Sequence, residues 1–173
     1  MLNVLLVAAA GLLGLGVLAL LALPTRTRVE RTTAIEASPE SIYALLSSNS
    51  GFQRFNPYCD TDPELRIELY GPQRGVGSAF RFAGKEGRGT QTITAVDENR
   101  SVTMEIDLGM MGRPTQQFLL APSQGGTEVT WRVDMDFGLN LFGRLFGLFA
   151  NSYLGKIYER GLGNLDRTLV ASA

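Results

Sequence analysis

Carboxylates are the main acid–base groups of this chain, and seven of the 17 stand in three small clusters. Asp134 and Asp136 sit within VTWRVDMDFG (129–138), Glu105 and Asp107 within SVTMEIDL, and Asp60, Asp62 and Glu64 within a Pro-flanked loop. Two carboxylates can divide acid and base roles when their surroundings push their pKa values apart. A loop rich in oxygen ligands can hold a hard cation. Each cluster also has a plainer reading. Asp134 and Asp136 share the strand parity opposite Trp131, and Glu105 and Asp107 alternate with Met104 and Ile106, so all four face water. The loop lacks the length and glycine of an EF-hand and reads as solvated.

The remaining reactive types narrow the chemistry further. Histidine is absent, which removes Ser-His-Asp and Cys-His catalysis, His-based zinc sites and the usual base near neutral pH. Cys59 is the one cysteine. It allows no internal disulfide, and without a His partner it reads as a part-buried small side chain. GKEGRG is Gly-rich but leads into a strand, so it is a hairpin turn and not a phosphate cradle. Tyr153 and Arg54 are better suited to orienting a ligand, while Arg81 alternates with Phe80 and Phe82 and points out. No catalytic set, metal set or cofactor motif emerges. The 16 basic and 17 acidic side chains give a formal charge of −1, without the basic surplus of a nucleic-acid binder.

These residues must be positioned by a single domain, which suits 173 residues. TRVERTTAIEA reads as a first strand. SPESIYALLSS carries a helix start, with Ser38 as N-cap and Pro39 at the first helical position. SGFQRFNPYCD is a second short turn or helix, stopped by Pro57. Six strands follow with short Gly- or Pro-containing links, which predicts an antiparallel meander. In the last of them Val129, Trp131, Val133, Met135 and Phe137 share one face. The tail from 141 to 170 changes period: Phe142, Phe146, Phe149, Tyr153 and Ile157 form one stripe of a long amphipathic helix. Its glycines 143, 147, 155, 161 and 163 each cost about 1 kcal/mol relative to Ala, which points to close packing or bending against a curved sheet.

The first 23 residues carry no charged side chain and are long enough to span a bilayer, which takes about 20 apolar residues. A signal peptide would have a positive start and small residues at its end. Here leucines stand in LALLALPTRTR, which favours an uncleaved anchor. Arg26, Arg28 and Arg31 follow it, so the positive-inside rule places the domain in the cytoplasm.

VERTTAIEASPESIYALLSS, RFNPY with DPEL, GPQRGVGSAF, GGTEVTW and YERGLGNLDRTL, in that order, resemble the SRPBCC superfamily, also called START-like or Bet v 1-like. The likeness covers about residues 28–169 and is greatest to bacterial membrane-anchored members of the polyketide cyclase/dehydrase-like group. Where the family usually has tryptophans around the Pro of RFNPY, this chain has Asn56 and Tyr58. The resemblance implies an α+β helix-grip fold: a curved antiparallel sheet of about seven strands around a long C-terminal helix, here preceded by a transmembrane helix. The implied layout is an anchor over 1–23, a linker over 24–27 and the domain over 28–170, on the inner membrane of a bacterium.

The resemblance also implies a cavity between sheet and helix. On the sheet it would be lined by Phe80, Phe82, Met104, Ile106, Leu108, Trp131, Val133, Met135 and Phe137. On the helix it would be lined by Phe146, Phe149, Tyr153 and Ile157. Sequence alone leaves open whether that interface is filled or hollow, since cores and pockets use the same apolar residues. The implied partner is a hydrophobic small molecule such as a lipid, quinone or polyketide-like compound, held without a cofactor. The two other readings are a cyclase-type enzyme and a module that binds another protein.

Overall fold

A computed structural model describes the backbone of residues 2–85 and 87–171 and the side chains from residue 11 onward. Leu2–Leu21 form one α-helix, α1, about 30 Å long at the usual rise per residue. The anchor expected over residues 1–23 falls partly outside the described side chains. Among the described residues no helix is long and apolar enough to cross a membrane.

The link out of α1 is short, because β1 (Arg26–Ile35) begins two residues before the expected domain start. Two short helices follow. In α2 (Pro39–Leu46) the Ser38 hydroxyl accepts from the Ser41 N–H at 3.3 Å, and Ile42, Leu45 and Leu46 are buried. In α3 (Asn49–Gln53) Ser48 caps in the same way, accepting from Gly51 N–H at 3.0 Å. The two helices meet tightly: a Cβ on Gly51 would lie 2.2 Å from the Leu45 carbonyl oxygen.

The strands β2 (Arg66–Tyr70), β3 (Ala79–Gly84), β4 (Gly87–Asp97), β5 (Ser101–Asp107), β6 (Thr115–Ser123) and β7 (Gly126–Asp136) form the expected meander. β1 adds beyond β7, giving a seven-stranded antiparallel sheet in the order β1-β7-β6-β5-β4-β3-β2. The KEGRG turn is tighter than expected, since β4 already starts at Gly87 and Gly84 pairs with it.

The alternating face of β7 is core. Val129 and Trp131 are fully buried, and Val133 and Met135 nearly so. They pack under α3, whose Phe52, with Phe55 just beyond it, meets Trp131 edge-on at 5.9 and 6.2 Å between ring centres. Phe118 closes the cluster at 4.7 Å from Trp131. Near 5–6 Å, edge-on and offset pairs are the favoured aromatic geometries.

The long helix α4 spans Leu141–Val170. It lies against β1 and β7 through its smallest residues. A Cβ on Gly143 would sit 2.5 Å from the Phe137 ring, and one on Gly161 would sit 2.3 Å from Trp131 Cζ3. The glycines therefore seat the helix, as their helix-propensity cost suggested, although Gly163 has nothing closer than 3.8 Å. Tyr158 completes the seat by stacking on Trp131 at 4.5 Å and 9°.

Gly161→Ala should therefore destabilise the protein by roughly 1–3 kcal/mol, the usual range for overpacking a filled core. The indole it meets is fully buried and held between rings. Urea denaturation of the variant measures this, and an unchanged midpoint would contradict the seating.

Candidate functional site

The expected cavity residues divide into three groups. Phe80, Met104, Trp131, Val133 and Met135 are no more than 7% exposed and form the filled core. Phe82, Phe137 and Ile157 are half-buried at its edge. Ile106 and Leu108 are also half-buried, without packing on that core. Phe146, Phe149 and Tyr153 are exposed, at 41, 63 and 41%.

The helix stripe is therefore not the inward face it was expected to be. Small residues, Gly143, Gly147 and Ala150, take the inward positions of the first turns. At 100° per residue this turns Phe146 and Tyr153 to the flank of α4 and Phe142 and Phe149 outward. The same flank continues to Asn164 and Thr168. There Asn164 donates to the Phe55 carbonyl and to Asp60, and Thr168 donates to the Arg54 carbonyl. The 54–60 segment thus covers one end of this flank, beside the aromatic core.

The other end is apolar and uncovered. Phe82 lies in the second half of β3, Gly89 near the start of β4, Leu108 follows β5 and Phe137 follows β7. Antiparallel pairing brings all four to one end of the sheet, the end at which α4 begins. Phe82 and Leu108 close over Gly89, where a Cβ would lie 2.4 Å from the Asp107 carbonyl oxygen, 2.9 Å from Phe82 Cζ and 3.2 Å from Leu108 Cδ2. Phe82, Ile106, Leu108 and Phe137 are half-buried at this end of the sheet. On α4, Phe146 and Tyr153 are exposed and Ile157 is half-buried along one flank. Two hollows of about 530 and 440 Å³ on the β2–β4 side are lined by no residue of α4.

Buried amides lie nearby. Gln91 and Gln116 are 4 and 2% exposed, and Gln91 pairs across β4 and β5 with the half-buried Ile106. Both donate to the Met104 sulfur, at 3.0 and 3.5 Å, and Gln91 also reaches Asn49 Oδ1 at 3.5 Å. Thioether sulfur is a weak acceptor, so these N–H groups are modestly satisfied. Sequence reasoning missed them because two glutamines in strands look like ordinary surface residues. Their signal was parity: Gln91 precedes Ile93 and Gln116 precedes Phe118 on the buried face.

The strand carboxylates stand on the outer face, whereas Asp62 of the loop expected to be solvated is buried because it accepts backbone N–H bonds. Asp134 pairs with Arg28 at 2.6 Å and Asp136 with Arg26 at 2.9 Å, across the β1–β7 register. The Arg26 hydrogen bond, then the Gly138 N–H, hold the Asp136 carboxyl below the ordinary carboxylate range. Asp107 pairs with Arg113 at 2.9 Å. In the 60–64 loop, Asp62 is buried and accepts from the Lys85 and Glu64 N–H groups at 2.6 and 3.1 Å, pinning the loop to the β3–β4 hairpin. Among the described residues no three potential ligands group around a metal position. Arg81 is exposed, paired with Glu68 and lying over the Tyr70 ring.

Cys59 was expected to be part-buried and is exposed, because the Tyr58–Thr61 turn lifts it from the surface. Partial desolvation, then the Asp60 carboxylate, push its thiol up. Less thiolate is present at neutral pH than in a free cysteine, so iodoacetamide should alkylate Cys59 more slowly than free cysteine, the gap closing as pH rises. Faster alkylation at pH 7 would contradict this environment. Buried Tyr158 is likewise held neutral, with desolvation raising its hydroxyl well above the usual tyrosine value.

The likeness to known proteins follows this geometry. The family model described as polyketide cyclase / dehydrase and lipid transport matches residues 26–170. A norcoclaurine synthase point mutant of Thalictrum flavum, solved with a transition-state analogue, superposes with a TM-score of 0.65 over 85% of this chain and 96% of its own, at 12% identity. A Rhodobacter sphaeroides protein gives 0.60 at 21% identity, covering 85% of this chain and 94% of its own. The Aha1 dimer of Colwellia psychrerythraea gives 0.53 at 20% identity, covering 76 and 90%. At these identities the likeness speaks to the fold. No curated protein matches the chain. The helix-grip sheet with its long C-terminal helix, together with the match over residues 26–170, makes this chain a member of the polyketide cyclase / dehydrase and lipid transport family of the SRPBCC superfamily.

Proposed function

We propose that this protein is a membrane-tethered binding protein for a hydrophobic small molecule such as a lipid, quinone or polyketide-like compound. The observation that supports the reading is the set of exposed and half-buried apolar side chains beside the filled core, which would line a groove. Phe146 and Tyr153 stand exposed on α4, with their ring centres 6.4 Å apart, and the half-buried Phe82, Ile106 and Leu108 lie at the same end of the sheet. Apolar walls with a few convergent polar groups suit a small-molecule site. The Gln91 and Gln116 amides would meet an oxygen-bearing end of the ligand, a stronger acceptor than the Met104 sulfur.

Tethering follows from residues 1–23. α1 is about as long as the hydrocarbon core is thick, near 30 Å, and Arg26, Arg28 and Arg31 follow it on the side that the positive-inside rule assigns to the cytoplasm. The location this implies is the bacterial inner membrane, with the domain inside the cell. Confinement to the bilayer raises the effective concentration of a membrane-dissolved ligand. A cyclase reading would rest on the Tyr153 phenol as its acid–base group, since the carboxylate clusters stand apart from it in hydrogen bonds and ion pairs.

Phe146→Ala and Tyr153→Ala remove exposed rings, so stability should change by no more than about 0.5 kcal/mol, as for other surface substitutions. Each should weaken binding of an anilinonaphthalene sulfonate probe by about tenfold or more, since burying such a ring is worth roughly 1.5–3 kcal/mol. Fluorescence titration reads this. Unchanged affinity in both variants would sink the groove as the binding site.

A further inference from the structure

We infer that the first turns of α4 lie in the bilayer surface, with Leu139, Phe142, Leu145 and Phe149 inserted among the lipid chains next to the end of α1. The inference rests on the anchor reading. It adds a second membrane contact, made by the domain itself.

Two observations carry it. The first is composition with exposure. From Leu139 to Ala150 the one charged side chain is Arg144, and it is 5% exposed. Leu139 is 84% exposed, Phe142 87%, Leu145 43% and Phe149 63%. Phe142, Leu145 and Phe149 are spaced three and four residues apart, on the side of α4 opposite its glycine seat. A contiguous exposed apolar patch of this kind marks a contact surface. The cover could be lipid or protein, and the second observation decides between them.

Arg144 donates to the Leu21 carbonyl at 2.6 Å and to the Leu23 carbonyl at 3.5 Å. It also donates to the Gly138 carbonyl through Nε and Nη2, at 2.9 and 2.6 Å. Leu21 is the last residue of α1, where carbonyls lack partners within the helix and a positive charge is favoured. One buried guanidinium thus joins the end of α1 to the start of α4. If α1 spans the bilayer, its end lies at the headgroup level, and the first turn of α4 is held at that same depth. Interfacial helices bury their apolar face about 5–10 Å into the headgroup and acyl boundary, which is within reach of leucine and phenylalanine side chains. The groove helix wall, Phe146 and Tyr153, then opens beside the lipid from which its ligand would come.

The test uses Phe142→Trp, and Leu139→Trp as a second variant, in the full chain reconstituted into phosphatidylethanolamine–phosphatidylglycerol vesicles. The native Trp131 is the one tryptophan and is fully buried, so the introduced indole is read by difference. The expected result is blue-shifted emission, quenching by lipids brominated near the headgroup end of their chains, and protection from aqueous iodide. Iodide quenching in both variants, in protein that resists carbonate extraction, overturns this inference and leaves the anchor standing. Protection from iodide without quenching by brominated lipid also overturns it and assigns the patch to a protein partner or a second copy. Release by carbonate removes the anchor and this inference together.

Discussion

The close seat of α4 on β1 and β7 is the constraint on which the rest of the structure depends. Gly143 and Gly147 ride over the Phe137 ring, and Gly161 rides over Trp131. Because the side that meets the sheet is made of the smallest residues, the helix approaches closely, and no core space remains for the large side chains of its first half. Phe142, Phe146, Phe149 and Tyr153 are turned to the flank and to the outside. The apolar surface of this protein is therefore a product of how its core is closed.

The same closure explains where chemistry is and is not found. Trp131, stacked with Tyr158 and boxed by Phe52, Phe55 and Phe118, fills the space under α3. On the convex face Arg26 and Arg28 meet Asp136 and Asp134 across the edge pairing of β1 and β7, and on the other face Arg31 of β1 pairs with Glu159 of α4 at 2.6 Å. Such exposed pairs contribute little to stability, typically no more than about 1 kcal/mol each. Asp62 and Arg144 are buried where they tie loops and helix ends, whereas the polar groups beside Met104 are the uncharged Gln91, Gln116 and Asn49. That interior suits recognition of an uncharged oxygen better than proton transfer.

Much of the fold was legible in the sequence because each element carried its own period or cap. The alternation of β7, the Ser38–Pro39 helix start and the bounds of α4 all follow from local rules, and the helix-grip arrangement came with the family resemblance. The orientation of α4 was not legible. A hydrophobic stripe shows which side of a helix is apolar, and burial was assigned to that side. Here the buried side in the first half is glycine and alanine, whose mean hydropathy gives no stripe. The penalty of five glycines was the available clue, and it did point to close packing. The filling of the interface by Phe52, Phe55 and Phe118 was equally hidden, since it depends on how a short helix folds back over the sheet. The Gln91 and Gln116 amides were passed over although their parity marked them as inward.

The apolar start of α4 is tied to the end of α1 by Arg144, and Gln91 pairs across the sheet with the half-buried Ile106. On this account the groove holds a hydrophobic molecule drawn from the bilayer. Native mass spectrometry of the full chain, released gently from its own membrane, tests that most directly. The account predicts a folded protein carrying one apolar molecule, an adduct that Tyr153→Ala diminishes. A folded protein without any apolar adduct, which also acquires none when phospholipid or quinone is added, would contradict it.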